Sequence, residues 1–393
     1  MNNKGFFWIS AGLFSVLATP INAADGIPFG PGTLFPSIVV SEEYNDNLFL
    51  QGSNEFDTWI TYLTPRLAYE LEGDIRKFTF EGGIDHGTYQ NSSDDNYLDW
   101  DLKATAEFVP TARLGVTFTA GFLTGHDSRG SDDSEGAAAT AFQDPDEFET
   151  TDFSASLRYG LEDMYAPNLT VSYNFADTQY LNNRARTADS DIEEASLNAE
   201  LSMMVMPNTK LVLDARYSEL DYDSVTADDN SYTNLLVGVS WDATYQTTGT
   251  LKIGFQEKDY DNSPARDGIS WDVSIDWKPL SYSTVTLTTT QDFSDSAGIV
   301  NVANTTINTN HNVLWGHDWT DFLTSRISYS LSEGEYLGTT RFDETQTWSV
   351  GVDYKVLRWL SLSGDVSSAA KTSNTADLSY DNNIYGISAN IAL

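Results

Sequence analysis

The sequence predicts an all-β protein, a transmembrane antiparallel up-and-down β-barrel of about 18 strands. Three features predict this fold. Segments of about 10–14 residues alternate apolar and polar side chains, which is the period of a β-strand. These segments are roughly twice as long as the strands of soluble proteins, and long enough to cross a bilayer at a tilt. Short turns and long Asp/Asn/Ser-rich loops alternate between them, as in a meander with turns at one rim.

Composition supports a folded protein of an oxidising compartment. The chain has 393 residues, no Cys, and 58 Asp+Glu against 21 Lys+Arg, for a net charge of -37. Its 13% aromatic content is too high for a disordered acidic chain. The absence of Cys suits the periplasm or the outer membrane, where an unpaired thiol is a liability. We expect no nucleic-acid partner.

The first residues indicate export. A short positive start, MNNK, precedes the apolar run GFFWISAGLFSVLAT, and a cleavage point follows Ala23. This pattern is typical of a secretory signal peptide. A membrane anchor helix is the alternative, but the run is short and ends at Pro20. We therefore predict a signal peptide at residues 1–23, a short periplasmic segment at 24–35 and the barrel at 36–393.

The alternation also predicts which side chains face lipid and which face the lumen. In YLDWDLKATAEFVP, Leu98, Trp100 and Leu102 fall on one face, while Asp99 and Lys103 fall on the other. In a membrane barrel the apolar face points to lipid and the polar face encloses water. The predicted lumen-lining residues are Tyr62, Arg66, Tyr89, Asp99, Asp101, Lys103, Arg113, Arg158, Arg216, Asp242, Asp272, Arg326 and Asp353.

These lumen-facing residues admit two interpretations. The tyrosines could stack on sugar rings, and the excess of acids over the chain would disfavour anionic solutes. Alternatively, each residue only builds the wall through cross-strand pairs that keep the barrel round.

The longest connection runs from Asp127 to Thr151. In many porins the third outer loop folds into the lumen, so this loop is a candidate constriction. Its acids would then place negative charge in the path: Asp127, Asp132, Asp133 and Glu135. The alternative is a solvated surface loop.

The sequence does not predict an enzyme. It has only four His and no Gly-x-Ser-x-Gly stretch, and no His pair has metal-ligand spacing on a helix. No acidic loop matches an EF-hand. We expect no cofactor and no metal.

The two ends of the barrel carry resemblances. The chain ends YGISANIAL, in which Tyr385, Ile387, Ile391 and Leu393 share one face. This end resembles the C-terminal signal of outer-membrane barrels, which implies recognition by the barrel-assembly machinery.

Near the start stands SEEYNDNLFL, with Glu43, Tyr44, Asn45, Asp46 and Asn47. This stretch resembles the opening of a family of outer-membrane β-barrel porins associated with exopolysaccharide export loci, and the plan of the whole mature chain is similar to that family. We expect its Asn-Asp-Asn cluster to lie where the first strand leaves the membrane.

The resemblance implies an outer-membrane conduit for exopolysaccharide in a Gram-negative bacterium, working with periplasmic polysaccharide export proteins. The other expected partners are outer-membrane lipid and lipopolysaccharide. Two alternatives stay open: a general or sugar-selective uptake porin, and a structural or adhesive barrel that acts through its outer loops.

Overall fold

A computed structural model describes residues 26–131, 134–161, 165–224, 228–244, 246–295 and 305–393, without the side chains of Ala137, Ala243 and Thr244. The predicted signal peptide lies outside the described residues, as do Asp132 and Asp133 of the candidate constriction.

The described chain is built from long β-strands. They are β1 Ile27–Phe29, β2 Gly32–Asn45, β3 Thr58–Gly73, β4 Arg76–Tyr89, β5 Tyr97–Thr111, β6 Leu114–Asp127, β7 Asp146–Tyr159, β8 Asn168–Tyr180, β9 Ile192–Met206, β10 Thr209–Tyr222, β11 Asn230–Thr244, β12 Thr247–Tyr260, β13 Arg266–Leu280, β14 Ser283–Asp295, β15 Thr305–Thr320, β16 Leu323–Tyr336, β17 Phe342–Leu357, β18 Leu360–Ser373 and β19 Tyr380–Ala392. One short helix, α1, spans Arg184–Thr187, and 3₁₀ turns lie at Ser93–Asp95, Gly136–Thr140 and Ala188–Ser190.

The strands close into one barrel. From β2 to β19 each strand pairs antiparallel with the next, and β19 pairs with β2, for example through Tyr385 and Tyr44. The short β1 forms a hairpin with the start of β2. The predicted fold class, an antiparallel up-and-down barrel of about 18 strands, is confirmed, and the barrel has 18. Closure matters because it leaves no strand edge unpaired within lipid.

The outer face of the barrel is apolar. On β5, Leu98 and Leu102 are 63% and 56% exposed, and on β17 Val350 is 50% exposed. Exposed apolar residues alternate in this way on most strands, and the strands are long enough to cross a bilayer. In the part of the chain that the structure describes, no helix is long and apolar enough to cross a membrane.

Two boundaries differ from the sequence prediction. β2 begins at Gly32, before the expected barrel start at residue 36, because the chain from Gly32 already pairs with β1 and β3. The long loop is shorter than 127–151, because Asp146–Thr151 belongs to β7 and pairs with β6. The loop therefore covers residues 128–145. It lies at the rim opposite the short turns and is called the mouth loop below.

Candidate functional site

One side of the inner wall carries paired charges that remain open to solvent. Arg66 on β3 contacts Asp85 on β4 and Asp101 on β5, each at 2.8 Å. Its guanidinium lies across Gly83, where a Cβ atom would come within 2.6 Å of Nη1. Lys103 stands 4.0 Å from Glu81, and both side chains are about half exposed. Ladders of opposite charge of this kind can line a water-filled channel.

The wall formed by β10, β12 and β13 is packed instead. Lys252 lies 2.6 Å from Asp214 and 2.9 Å from Asp272, and its side chain is only 4% exposed. Arg216 completes the cluster, 2.9 Å from Asp214 and 3.5 Å from Asp272. Outside this wall, Arg326 on β16 lies 2.8 Å from Asp353 on β17, and both side chains are partly buried. The inner wall is therefore open on one side and filled by side chains on another.

Of the remaining predicted lumen residues, some contact other side chains and some lie exposed near or in a turn. Arg158 on β7 packs beside Gly115 of β6, and Asp99 lies 2.8 Å from His126. Asp242 is exposed near the turn end of β11. The assignment of Arg113 to the lumen wall is corrected: Arg113 lies exposed in the turn between β5 and β6, because β6 begins one residue later at Leu114.

The two predicted sugar-stacking tyrosines are engaged with the wall. Tyr89 is only 7% exposed, and its ring packs near Tyr97 with centroids 6.4 Å apart. Tyr62 donates a hydrogen bond to Glu43 Oε1 at 3.4 Å. The buried ring of Tyr89 offers no free face to a solute, so the sequence hypothesis is corrected at this residue.

The Asn-Asp-Asn cluster at the end of β2 forms hydrogen bonds with the Asp-Asn-Asn triplet 381–383 on β19. Asn382 Nδ2 donates to Asn45 Oδ1 at 2.8 Å and to the Asn47 carbonyl at 2.9 Å. Asn383 donates to both carboxylate oxygens of Asp46, at 2.6 and 2.8 Å. We call this set, residues 45–47 and 381–383, the closing seam, because it joins the first and last strands of the barrel.

Asn47 is the centre of the closing seam and has no solvent exposure. Its Nδ2 donates to the carbonyls of Gln51 and Asp381, and its Oδ1 accepts from the Gln51 amide. The polar break after the first strand is thus a set of saturated hydrogen bonds at the strand end. The seam continues to the C-terminus, where the Leu393 amide donates to the Pro36 carbonyl at 3.1 Å.

The mouth loop, 128–145, is anchored first to neighbouring loops at the same rim, those after β2 and β4. Arg129 donates to Asp95 Oδ1 at 2.7 Å and to the Phe142 carbonyl at 2.8 Å. Its guanidinium also lies 4.5 Å from the ring centre of Phe49, in the loop after β2. The hydrogen bonds to Asp95 raise the pKa of Arg129 above its ordinary value. This anchor therefore stays charged at any physiological pH.

The loop then reaches a distant part of the wall. Glu135 lies 2.8 Å from Arg341, in the loop between β16 and β17, and 2.7 Å from Lys371 on β18. Gln51 Nε2, in the loop between β2 and β3, donates a hydrogen bond to the Gly136 carbonyl at 3.4 Å. Only β5, β4, β3, β2 and β19 separate β6 from β18 in the closed ring, so the loop spans about a third of it.

Glu135, Arg341, Lys371 and Asp343 form a compact cluster, called the mouth cluster below. Arg341 lies 2.5 Å from Asp343, and Lys371 lies 3.3 Å from it. Strand alternation from the exposed Val350 and Val366 places Asp343 and Lys371 on the inner face. Burial alone would lower the pKa of Arg341, but its hydrogen bond to Asp343 and the charge of Glu135 raise it. The expected negative charge of Glu135 is thus compensated by two cations.

Asp127, the other described acid of the candidate constriction, ends β6 and accepts a hydrogen bond from the Tyr180 hydroxyl at 2.7 Å. The described residues contain no group of three or more His, Asp or Glu arranged to hold a metal ion.

Sequence reasoning missed Arg341, Lys371, Asn382 and Asn383. The two cations carry no local motif, since they meet Glu135 only through the fold. The repeated Asx triplets NDN and DNN, near opposite ends of the chain, were the available signal for the closing seam.

Comparison with solved structures finds other outer-membrane barrels. OccK3 (OpdO) of Pseudomonas aeruginosa is 13% identical with a TM-score of 0.52, over 92% of this chain and 96% of that one. OpdK of the same organism, solved with vanillate, is 14% identical with a TM-score of 0.52, over 92% and 99%. The ferric enterobactin receptor PfeA of that organism is 8% identical with a TM-score of 0.50, over 92% and 80%. At these identities the likeness shows the fold alone.

A search of curated proteins found no match. The profile of the family described as "Putative beta-barrel porin 2" matches residues 19–393, which is nearly the whole chain. The closed barrel with its apolar outer face agrees with that match and places the protein in the outer membrane of a Gram-negative bacterium. The chain belongs to this family of β-barrel porins.

Proposed function

We propose that this porin-like channel is a conduit for exopolysaccharide export across the outer membrane. The observation that carries the proposal is the closed 18-strand barrel with a polar, ion-paired inner wall. Barrels of roughly 16–18 strands leave an aqueous channel. The resemblance of the Glu43–Asn47 stretch to porins of exopolysaccharide loci supports export as the direction.

Export by this barrel would be driven from the periplasmic side. Nothing in the sequence suggests a nucleotide site, so the driving force would come from polymer synthesis or from periplasmic export proteins. The rim of short turns faces the periplasm in this arrangement and is the surface those partners would meet.

Uptake of small solutes is the second candidate function. The mouth loop supports this candidate, because a loop held at Asp95 and at Arg341 would narrow the outer mouth. A narrowed mouth suits small molecules better than a thick polymer bundle, although a single polysaccharide strand remains compatible with it.

Deletion of the gene separates the two functions. If the barrel exports polysaccharide, the deletion strain loses surface polysaccharide and keeps its uptake of small sugars, and an intact copy restores the polymer. Normal polysaccharide together with lost sugar uptake would refute export and favour the second candidate. A copy carrying Arg358→Gln, an exposed turn residue, serves as the matched control and should restore the phenotype fully.

A further inference from the structure

We propose that Arg341 and Lys371 form a carboxylate-binding site on the inner wall at the outer mouth, and that Glu135 occupies it as an internal substitute for a solute carboxylate. The inference deepens the proposed function, on which it rests, by naming the class of solute: sugars or sugar polymers that carry carboxylates, such as uronic acids.

The geometry of Glu135 is that of a bound ligand. Its two oxygens contact different cations, Oε2 with Arg341 at 2.8 Å and Oε1 with Lys371 at 2.7 Å. The side chains of the two cations are only 9% and 12% exposed. Charge-assisted hydrogen bonds to both oxygens of a carboxylate give strength and orientation. A carboxylate from another source could make the same contacts.

The cations are held in place independently of Glu135. Asp343 contacts both of them from the wall, and Asp343 is itself fixed by Ser373 Oγ, which donates to it at 2.6 Å. The guanidinium of Arg341 also lies 4.1 Å from the ring centre of Tyr336. If Glu135 withdraws, the site keeps its shape, so it is preorganised for a second carboxylate.

The charges of the four residues give the net charge that the site carries when Glu135 leaves it. The mouth cluster has two cations, Arg341 and Lys371, against two carboxylates, Glu135 and Asp343, so it is neutral when Glu135 is present. Without Glu135 it carries one net positive charge. Acids more than about 8 Å from the cluster act on it weakly, because salt screens charges over that distance at physiological ionic strength. The vacated site therefore attracts an anion at contact range, despite the acidic chain.

Glu135 competes with the solute, and this competition can be measured. In planar bilayers, sodium glucuronate and neutral glucose are titrated against single channels of the full-length mature protein, and the block of ion current is recorded. For the Glu135→Gln variant we expect half-block by glucuronate at a concentration about tenfold lower than in the wild type, because an internal occupant reduces apparent affinity. Glucose should block both proteins equally.

Further variants test the two cations. In the Glu135→Gln background, Arg341→Met or Lys371→Met should abolish the preference for glucuronate over glucose. Glu147→Gln removes the same charge from an exposed position on β7 and should leave the preference at the wild-type value. Should Glu135→Gln fail to assemble, Glu135→Asp shortens the side chain and is expected to give a smaller gain of the same sign.

Equal block by glucuronate and glucose in the Glu135 variants would overturn the inference, as would a preference that survives loss of Arg341. This result is separable from the proposed function. A deletion strain with normal polysaccharide refutes export but leaves a mouth site for small carboxylates, whereas proven export without glucuronate preference refutes only the site.

Discussion

At the scale of single residues, Asn47 has the strongest case for a structural role. Four hydrogen bonds converge on its buried side chain and amide, from Asn45, Gln51 and Asp381. Asn47→Ala removes the side-chain partner of the Gln51 carbonyl, the Asp381 carbonyl and the Gln51 amide, and keeps only the bond from its own amide to Asn45. We expect it to lower the free energy of unfolding by about 1–3 kcal/mol.

Urea unfolding in lipid vesicles, followed by tryptophan fluorescence, measures this loss. Ser53→Ala, at an exposed position of the same loop, is the control and should change little. A stability equal to wild type for Asn47→Ala would mean that the closing seam does not hold the first and last strands together.

Two lysines on the inner wall offer a matched comparison. Lys252 is buried between two carboxylates, whereas Lys103 is half exposed and 4.0 Å from its partner. Lys252→Met leaves buried carboxylates short of a cation, and we expect a loss of about 3–5 kcal/mol. Lys103→Met should cost less than about 1 kcal/mol.

The same unfolding experiment measures both lysine variants. Equal losses would show that the β10–β13 wall is hydrated in solution, since water would then compensate for the missing ammonium group.

The burial and the contacts of single residues were the features that the sequence predicted least well. Alternation alone predicted inward positions for Asp101 and Lys103. It could not show that Tyr89 is buried against Tyr97, because burial depends on the neighbouring strand. Nor could it pair Glu135 with Arg341, since only the fold brings these distant positions together. Arg113 was misassigned because strand ends are uncertain by a few residues.

At the scale of a strand, β17 tests the outward direction of the apolar face. Val350 lies near the middle of the strand, between Ile327 and Val366 on the neighbouring strands. Val350→Arg places a charge at bilayer depth, and we expect a cost of about 2–4 kcal/mol. Val356→Arg, near the turn end of the same strand, should cost about 0–1 kcal/mol, since a charge there reaches the headgroups.

Folding titrations into vesicles compare the two variants. A cost that does not depend on depth would contradict a membrane-spanning β17.

The number and the direction of the strands were the features that the sequence predicted best. Period-2 alternation is a local property that each strand carries alone, so the number and the direction of the strands followed from it. The mouth loop was recognisable by its length, but its path was not. That path depends on the contact of Arg129 with Asp95 and on that of Glu135 with Lys371, which lie at different parts of the barrel.

At the scale of the whole molecule, the charge imbalance predicts ion selectivity. With 58 acids against 21 bases, the barrel and its loops favour cations over anions in the channel. In a KCl gradient across a planar bilayer, the reversal potential should have the sign of potassium selectivity, and the selectivity should weaken as salt rises. Chloride selectivity would contradict the assignment of acids to the lumen and mouth.

Throughout the barrel, side chains along each strand face lipid and the enclosed water in turn. Because the chain has no Cys, single cysteines introduced along β5 test this alternation directly in vesicles. A charged, water-soluble maleimide should label Cys at positions 99, 101 and 103, and only a lipid-soluble maleimide should label positions 98, 100 and 102. Labelling of all six positions by the charged reagent, or of the even positions alone, would contradict this arrangement.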